Sequence, residues 1–354
     1  MQMVMKKEPS PPSDDGAPKR VAKPKRVQMT DIARLAGVSA STVSRALSGS
    51  ALIPEETRQR IRDLATSMNY QVNIGAANLR KRDVNTVGLL VLGDSSQAIS
   101  DPFMLTIVGQ VADALDARGV RVLLQRLASA RYNSIADMYD SGQAQGLIVV
   151  GQAALHTELN ALAQRGVPLA VWGAQMPDAL YPIIGSDNER GGYLATQRLL
   201  ELGCQHIAYL GDTVHPEALK RYQGYLRAMK EYGQTPDPRL HQSVLFGDAR
   251  LRQIVSDWLT LDTGFDGVFA ASDVAAITVI SALSERGVAI PDQVKVVGYD
   301  DIPLARHVHP ALTTVRQPTG QAGQALVNAL FDVLAGRTPA PVELSTELVI
   351  RETA

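Results

Sequence analysis

The sequence predicts two folds in series: a small all-α helix-turn-helix headpiece, then a larger α/β body of two lobes built on doubly wound parallel sheets. Three observations predict this. The stretch TDIARLAGVSASTVSRAL, Thr30 to Leu47, has the apolar spacing of two short helices around a glycine turn. From Thr86 onward, short β-rich runs alternate with longer amphipathic stretches. Charge divides the chain as well. Residues 1–82 hold fifteen Lys/Arg against seven Asp/Glu, or +8, so with a net charge of −1 residues 83–354 carry −9. A basic head can neutralise phosphates, whereas the acidic body is repelled by them.

Taken in order, residues 1–26 are rich in Pro, Lys and Ser with few large apolar side chains. Such a segment buries too little to offset the entropy of ordering, so it reads as a flexible basic arm. Residues 27–72 form the headpiece. Ile32, Leu35 and Ala36 recur at helical spacing, Gly37 turns the chain, Val38 fills the elbow, and Val43, Ala46 and Leu47 repeat the pattern. Ser39 is placed to cap the second helix, which leaves Ala40, Ser41, Thr42, Ser44 and Arg45 outward. A third helix opens at Pro54, with Glu55 and Glu56 suited to its positive end and Ile61, Leu64, Ala65 and Met68 on its buried face.

Residues 73–82, NIGAANLRKR, are helix-like but short, and Gly75 weakens them further. A helix below roughly 12 residues is marginal in water, so this segment is expected to order only when something packs on it. Residues 83–354 make the body. The runs VGLLVL, VRVLLQ, GLIVV, PLAVW, HIAYLG, GVFAA and VKVVGY read as buried parallel strands, and the restart at His206 suggests two similar lobes. Helices are expected near 103–118, 189–202, 217–232 and 274–286, and VELSTELVI near the end reads as one strand-like stretch.

Ligands of open α/β sheets bind beyond the carboxyl ends of strands. Those ends are polar here: Asp94 and Ser95, Gln125 and Arg126, Trp172, Asp212, Ser272 and Asp273, Asp300 and Asp301. Carboxylates, a hydroxyl, an arginine such as Arg221 and an aromatic face such as Trp172 suit a sugar-like ligand. Helix capping is the alternative reading, strongest for Asp273 and Asp301. Trp258, set among Ile254, Val255 and Leu259, reads as core.

The same residues point away from other classes. Cys204 is the single cysteine, the six histidines are scattered without an H-E-x-x-H pattern, and His307 and His309 beside Pro310 read as a surface loop, so no metal site is expected. No phosphate-binding glycine loop and no nucleophile elbow is present; Gly191 and Gly192 sit in a helical pattern without phosphate-loop spacing. No catalytic residue and no cofactor is therefore expected. No apolar run is of membrane-spanning length, and the first residues lack the apolar core of a secretory signal, so the expected setting is cytoplasmic.

The motifs TDIARLAGVSASTVSRAL, IPEETRQRI, MNYQVN, SDNERGG, RYQGY, ASDVAA, AIPDQV, VVGYDD and PALTTVRQP, in this order from about Val27 to the C-terminus, resemble the LacI/GalR family of bacterial regulators. The resemblance implies a periplasmic-binding-protein-like core, a headpiece that reads an operator, and a hinge helix that enters the minor groove. It places base reading on Ala40, Ser41 and Arg45, and backbone contacts on Thr30, Ser39, Thr42, Ser44 and Thr57. Asn73 and Leu79 join the DNA-binding set, with Leu79 as the wedge between base steps. Ala77 departs from the family's usual hinge arginine.

For the effector, the resemblance points to Arg221, Ser272, Asp273, Asp300 and Gln317, with Asp101, Phe103 and Trp172 counted beside them. Ser272 stands where many sugar-responsive relatives have Asn, Gly173 where some place a carboxylate, and Ala249 near where many place an aromatic. The implied partners are a near-palindromic duplex operator, a sugar or sugar-derived small molecule, and a second copy of the chain, without a membrane. No leucine heptad follows the body, so a dimer rather than a coiled-coil tetramer is expected. Three alternatives stay open: the same architecture with a corepressor, a sugar-modifying enzyme carrying a DNA-binding head, and a DNA-bending protein without a ligand.

Overall fold

Ser39 shows how closely local chemistry sets the headpiece. Its Oγ accepts a hydrogen bond from the backbone N–H of Thr42 at 3.1 Å, which satisfies one of the open donors of the helix that follows. A computed structural model describes residues 29–47, 50, 52–68, 84–93, 99–128, 131, 135–152, 155–244, 249–261 and 264–354. The chain divides into two compact units, Met1–Lys81 and Arg82–Ala354. The arm at 1–26, the segment at 73–82 with Asn73, Ala77 and Leu79, and Asp94 and Ser95 lie outside the described residues.

The described part of the first unit is three helices, α1 (Met29–Ala36), α2 (Ala40–Leu47) and α3 (Glu55–Ser67). Gly37, at φ +67°, makes the turn between the first two, a conformation that a side chain would strain. Ile32, Ala33, Ala36, Val43, Ala46, Ile61 and Ala65 form the core. Leu35 departs from expectation, since it is 58% exposed. Ala33 completes the buried stripe instead: at 100° per residue, Leu35 lies roughly 110° from the centre of the arc set by Ile32, Ala33 and Ala36. Pro54 is the residue before α3 rather than its first turn.

The second unit begins with β1 (Thr86–Leu92), α4 (Pro102–Asp116), β2 (Arg121–Leu127), α5 (Asp137–Asp140), β3 (Leu147–Val150), α6 (His156–Gln164), β4 (Leu169–Trp172) and β5 (Ile183–Ser186). It continues with α7 (Asn188–Glu201), β6 (Ile207–Leu210), α8 (Pro216–Glu231), β7 (His241–Gln242), α9 (Leu251–Trp258) and β8 (Gly267–Ala270). Then come α10 (Asp273–Ser284), β9 (Lys295–Asp300), β10 (Thr313–Arg316), α11 (Thr319–Leu334), β11 (Val342–Leu344) and β12 (Glu347–Val349).

These strands form two sheets of six, ordered β11-β5-β4-β3-β1-β2 and β12-β10-β9-β8-β6-β7. The orders are the same when each lobe is numbered from its own first strand, so the restart at His206 marks a structural duplication. They differ at one edge. β11 runs parallel to β5, whereas β12 runs antiparallel to β10. The central strands are buried on both faces, as their unbroken apolar runs require. VRVLLQ is the exception: β2 is an edge strand and only Leu127 in it is buried.

The chain passes between the sheets at three places: after Ser186, after Gln317, and between Leu344 and Glu347. VELSTELVI, expected as one strand, is therefore two strands in different lobes. Asp187 N–H donates to the Leu344 carbonyl at 2.9 Å, which ties the first crossing to the third. Trp258 is core as expected, and its indole N–H donates to the Arg239 carbonyl at 3.0 Å.

The glycines of SDNERGG have a packing role. A Cβ on Gly192 would lie 2.0 Å from the Arg221 carbonyl oxygen, and one on Gly224 would lie 2.0 Å from that of Glu189. Gly191 meets the Tyr299 ring in the same way. Helices α7 and α8 thus approach backbone to backbone, which only glycine permits.

Candidate functional site

Two surfaces carry the residues singled out by sequence, one in each unit. On the headpiece, Ala40 and Ser41 begin α2 and are exposed together with Thr30, Ser39 and Arg45, while Thr42, Ser44 and Thr57 are half-buried. The Ser39 hydroxyl lies 2.7 Å from that of Ser41 and 2.8 Å from that of Thr42. The start of α2 therefore presents a cluster of hydroxyls beside Arg45, which stands one turn further along. Such a face suits phosphate oxygens at the helix start and a guanine edge at the arginine.

In the body, the helix contact at Gly192 brings Arg221 to the crossing between lobes. Its Nε donates to Asn188 Oδ1 at 2.9 Å and its Nη1 to the Ala271 carbonyl at 2.6 Å. The guanidinium lies over the Tyr299 ring, 3.8 Å from the centroid, and 3.8 Å from Asp300 Oδ1. Asp300 Oδ1 accepts from Gln317 Nε2 at 2.7 Å, and Gln317 Oε1 accepts from Ser186 Oγ at 2.7 Å. Ser186 ends a strand of the first lobe, and Gln317 follows a strand of the second. One polar chain thus joins both lobes at their crossings.

Burial pushes the Asp300 carboxyl well above the usual range, and Arg221 opposes that. Asp300 has φ +118°, a strained backbone that aims its side chain at this network. Asp101 caps α4 by accepting from Phe103 N–H at 2.8 Å and Met104 N–H at 3.0 Å. Burial raises its pKa too, with Arg221 acting in the opposite direction across the lobes.

Of the eight residues expected at the effector site, the structure gathers Arg221, Asp300 and Gln317, with Asp101 within electrostatic reach. Ser272 caps α10 by accepting from Ala275 N–H at 3.3 Å. Asp273 is turned elsewhere. It is fully buried, accepts from Ile302 N–H at 2.8 Å and is held by the Thr314 hydroxyl, so its carboxyl braces the second lobe instead of facing a ligand. Phe103 and Trp172 pack on one another, centroids 6.2 Å apart, within the main apolar cluster. Trp172 is 4% exposed and is a core residue here, not an open platform.

Other strand ends are also occupied by structure. Asp301 is no cap: Arg316 and Arg351 pair with it, and against the effect of burial they hold its carboxyl below the usual range. Asp212 accepts from the Val214 and His215 backbone at 2.8 and 3.2 Å. Gly173 faces the Gln152 side chain, and a Cβ there would lie 2.4 Å from it, so a carboxylate has no room. Ala249 is exposed. A surface cavity of about 500 Å³ beside the crossings is lined by Gln175, Ser186, Asn188, Arg190, Lys220 and Glu343, among others, and by none of the eight.

Sequence reading missed Ser186, Asn188, Gln152 and Glu217. Ser186 and Asn188 lie inside SDNERGG, and Glu217 is four residues before Arg221, so all three stand in or beside quoted motifs. The backbone N–H of Gln152 in the first lobe donates to Glu217 Oε1 in the second at 3.2 Å.

Comparison with known proteins decides the family. Residues 28–73 match the model for bacterial regulatory proteins of the lacI family, and residues 196–354 match a periplasmic binding protein-like domain. The HTH-type transcriptional regulator CelR of Thermobifida fusca is 32% identical over 345 residues, covering 93% of this chain and 98% of CelR. The chain belongs to the lacI family.

Within that family, the HTH-type transcriptional repressor PurR of Histophilus somni is 28% identical over 91% of this chain and 97% of its own length. The solved CelR–cellobiose complex aligns with a TM-score of 0.69 at 29% identity, over 93% of this chain and all of that one. As a lacI-family protein the chain is a DNA-binding transcriptional regulator with a two-lobed α/β core. No helix among the described residues is long and apolar enough to cross a membrane.

Proposed function

We propose that this repressor acts as a cytoplasmic homodimer on a near-palindromic operator and that a sugar or sugar derivative bound between its lobes controls operator affinity. The observation that carries this reading is the chain Arg221–Asp300–Gln317–Ser186, a set of buried polar groups that spans both lobes where they join. Each of these groups is expensive to leave unpaired in a buried place, so a ligand that enters must replace the bonds it breaks, which makes the network sensitive to what binds there. Similarity to CelR, whose solved complex contains cellobiose, supports a carbohydrate.

In this reading residues 27–72 read DNA through Ala40, Ser41 and Arg45, with Thr30, Ser39, Thr42, Ser44 and Thr57 on the backbone. Residues 73–82, with Asn73 and Leu79, act as a hinge in the minor groove. Residues 83–354 bind effector and pair the subunits, with Asp101, Arg221, Ser272, Asp300 and Gln317 toward the ligand. The protein catalyses nothing: relatives named as regulators support this, as does a site whose groups satisfy one another rather than a nucleophile. Effector binding shifts the lobes, and operator affinity follows only as far as the effector distinguishes the two states.

A thermal-shift screen of sugars, followed by operator binding with and without each hit, tests the reading. A sugar that raises the melting temperature and changes operator affinity supports it. Turnover of that sugar, or operator affinity unmoved by any of them, overturns it.

A further inference from the structure

The cavity of about 500 Å³ beside the crossings has the size of a small-ligand cleft, and its charged groups take no part in the effector site. Its two sides come from different lobes. Gln175, beyond β4, and Glu343 of β11 belong to the first lobe, whereas Glu189 and Arg190 of α7 and Lys220 and Arg227 of α8 belong to the second. The second-lobe charges largely satisfy one another. Glu189 accepts from Arg227 Nη1 at 2.9 Å and has Lys220 Nζ at 3.7 Å. Asp187 accepts from the Arg190 backbone N–H at 2.9 Å and so caps α7. The Arg190 guanidinium is left over, with no hydrogen bond or ion pair among the described residues.

The first-lobe side is its complement. Gln175 donates from Nε2 to the Ile183 and Val342 carbonyls at 3.2 and 3.1 Å, which leaves its amide oxygen as an acceptor. Glu343 makes no hydrogen bond or ion pair among the described residues. Partial burial, with Asp187 and Glu189 adding to it and Lys220 opposing, pushes its carboxyl above the usual range, so a cation brought close would be welcome there. One cavity thus holds a spare cation on one lobe and a spare carboxylate on the other, and no ion pair joins them. We propose that this cavity is a second ligand site, separate from the effector site, for a small zwitterion of the amino-acid class, with its carboxylate on Arg190 and its ammonium on Glu343. A guanidinium holds a carboxylate through two parallel bonds, while Glu343 and the Gln175 oxygen accept from an ammonium. Because the two sides belong to different lobes and meet at their crossings, the zwitterion favours the lobe arrangement in which both reach it, and operator affinity follows as far as that arrangement alters it.

The test is calorimetric titration of the full-length protein with each proteinogenic amino acid, and with the N-acetyl and carboxamide derivatives of any that binds. At least one amino acid should bind with a Kd of about 1 mM or below. Each derivative lacks one of the two charges and should bind weaker by about tenfold or more. Arg190→Gln and Glu343→Gln should each weaken the amino acid by a similar factor. Both side chains are exposed and make no bond that folding needs, so the variants should melt as wild type does. Asp300→Ala, at the effector site, should leave amino-acid binding as it is. Binding by no amino acid overturns the inference, as does binding that both glutamine variants leave intact. Binding lost in Asp300→Ala but kept in those variants would put the ligand among the effector residues and overturn it as well.

Discussion

Gly192→Ala tests the packing that places Arg221. The new methyl would start 2.0 Å from the Arg221 carbonyl oxygen, and real contacts of this kind do not fall below 3.0 Å, so α7 and α8 must part by at least 1.0 Å. The Arg221 bonds to Asn188 and Ala271, now 2.9 and 2.6 Å, would stretch to the edge of hydrogen bonding or past it. Overpacking contributes about 1 to 3 kcal/mol, and each charged hydrogen bond lost adds about 1.5 to 3 kcal/mol. Gly→Ala within a helix returns about 1 kcal/mol of propensity. With both bonds lost, the net effect is a destabilisation of roughly 3 to 8 kcal/mol. At about 2 to 4 °C per kcal/mol for a body of this size, the melting temperature should fall by at least roughly 6 °C.

Differential scanning calorimetry on the full-length protein reads this directly, with Gly320→Ala as a control, since that position faces open space. The two signs are opposed, which makes the test sharp. If Gly192→Ala leaves the melting temperature unchanged or raises it, helix propensity has won and the close approach does not position Arg221.

Other outcomes follow from the same geometry. Burial holds the Asp273 carboxyl up at about 7, so its contribution to stability is full below the unfolded value of about 3.9 and is lost as pH rises toward 7. Asp273→Asn reproduces the protonated form, accepting from Ile302 and donating to Thr314, and its unfolding free energy should be flatter than wild type between pH 4 and 7; an equal slope in denaturant titrations removes this assignment. Ser39→Ala should lower headpiece stability by about 1 kcal/mol, visible as faster amide exchange in 40–47, with the body transition unmoved. Equal exchange in the two proteins would deny the cap.

Much of this fold is legible because it is local. Strand runs, helical stripes and the Ser39 cap depend on neighbours within a turn or two, and the structure follows them closely. Arg221, Asp300 and Gln317 were legible too, through motifs and strand ends. What escaped depends on distant partners. Ser186 and Gln317 are 131 residues apart, and no periodicity reports their contact. Asp273 and Asp301 sit at strand ends as a ligand group or a cap would, yet Thr314 and Arg351, from other segments, decide where their carboxyls point. Leu35 was misplaced because a helical stripe fixes a face but not its centre, and Ala33 shifted it. Gly191 and Gly192 read as having no phosphate-loop role, and their packing role appears only once α8 lies against them.

The central claim is a division of labour, in which the headpiece selects DNA and the interlobe network senses the effector. It is tested most directly by measuring affinity for an operator selected from random duplexes, with and without a binding sugar, in wild type, Arg45→Ala and Asp300→Ala. Arg45→Ala should lose about 1 to 3 kcal/mol of discrimination between operator and altered sites while still being stabilised by sugar. Asp300→Ala should hold operator as tightly as wild type and no longer respond to sugar. Loss of both properties in both variants would contradict the account.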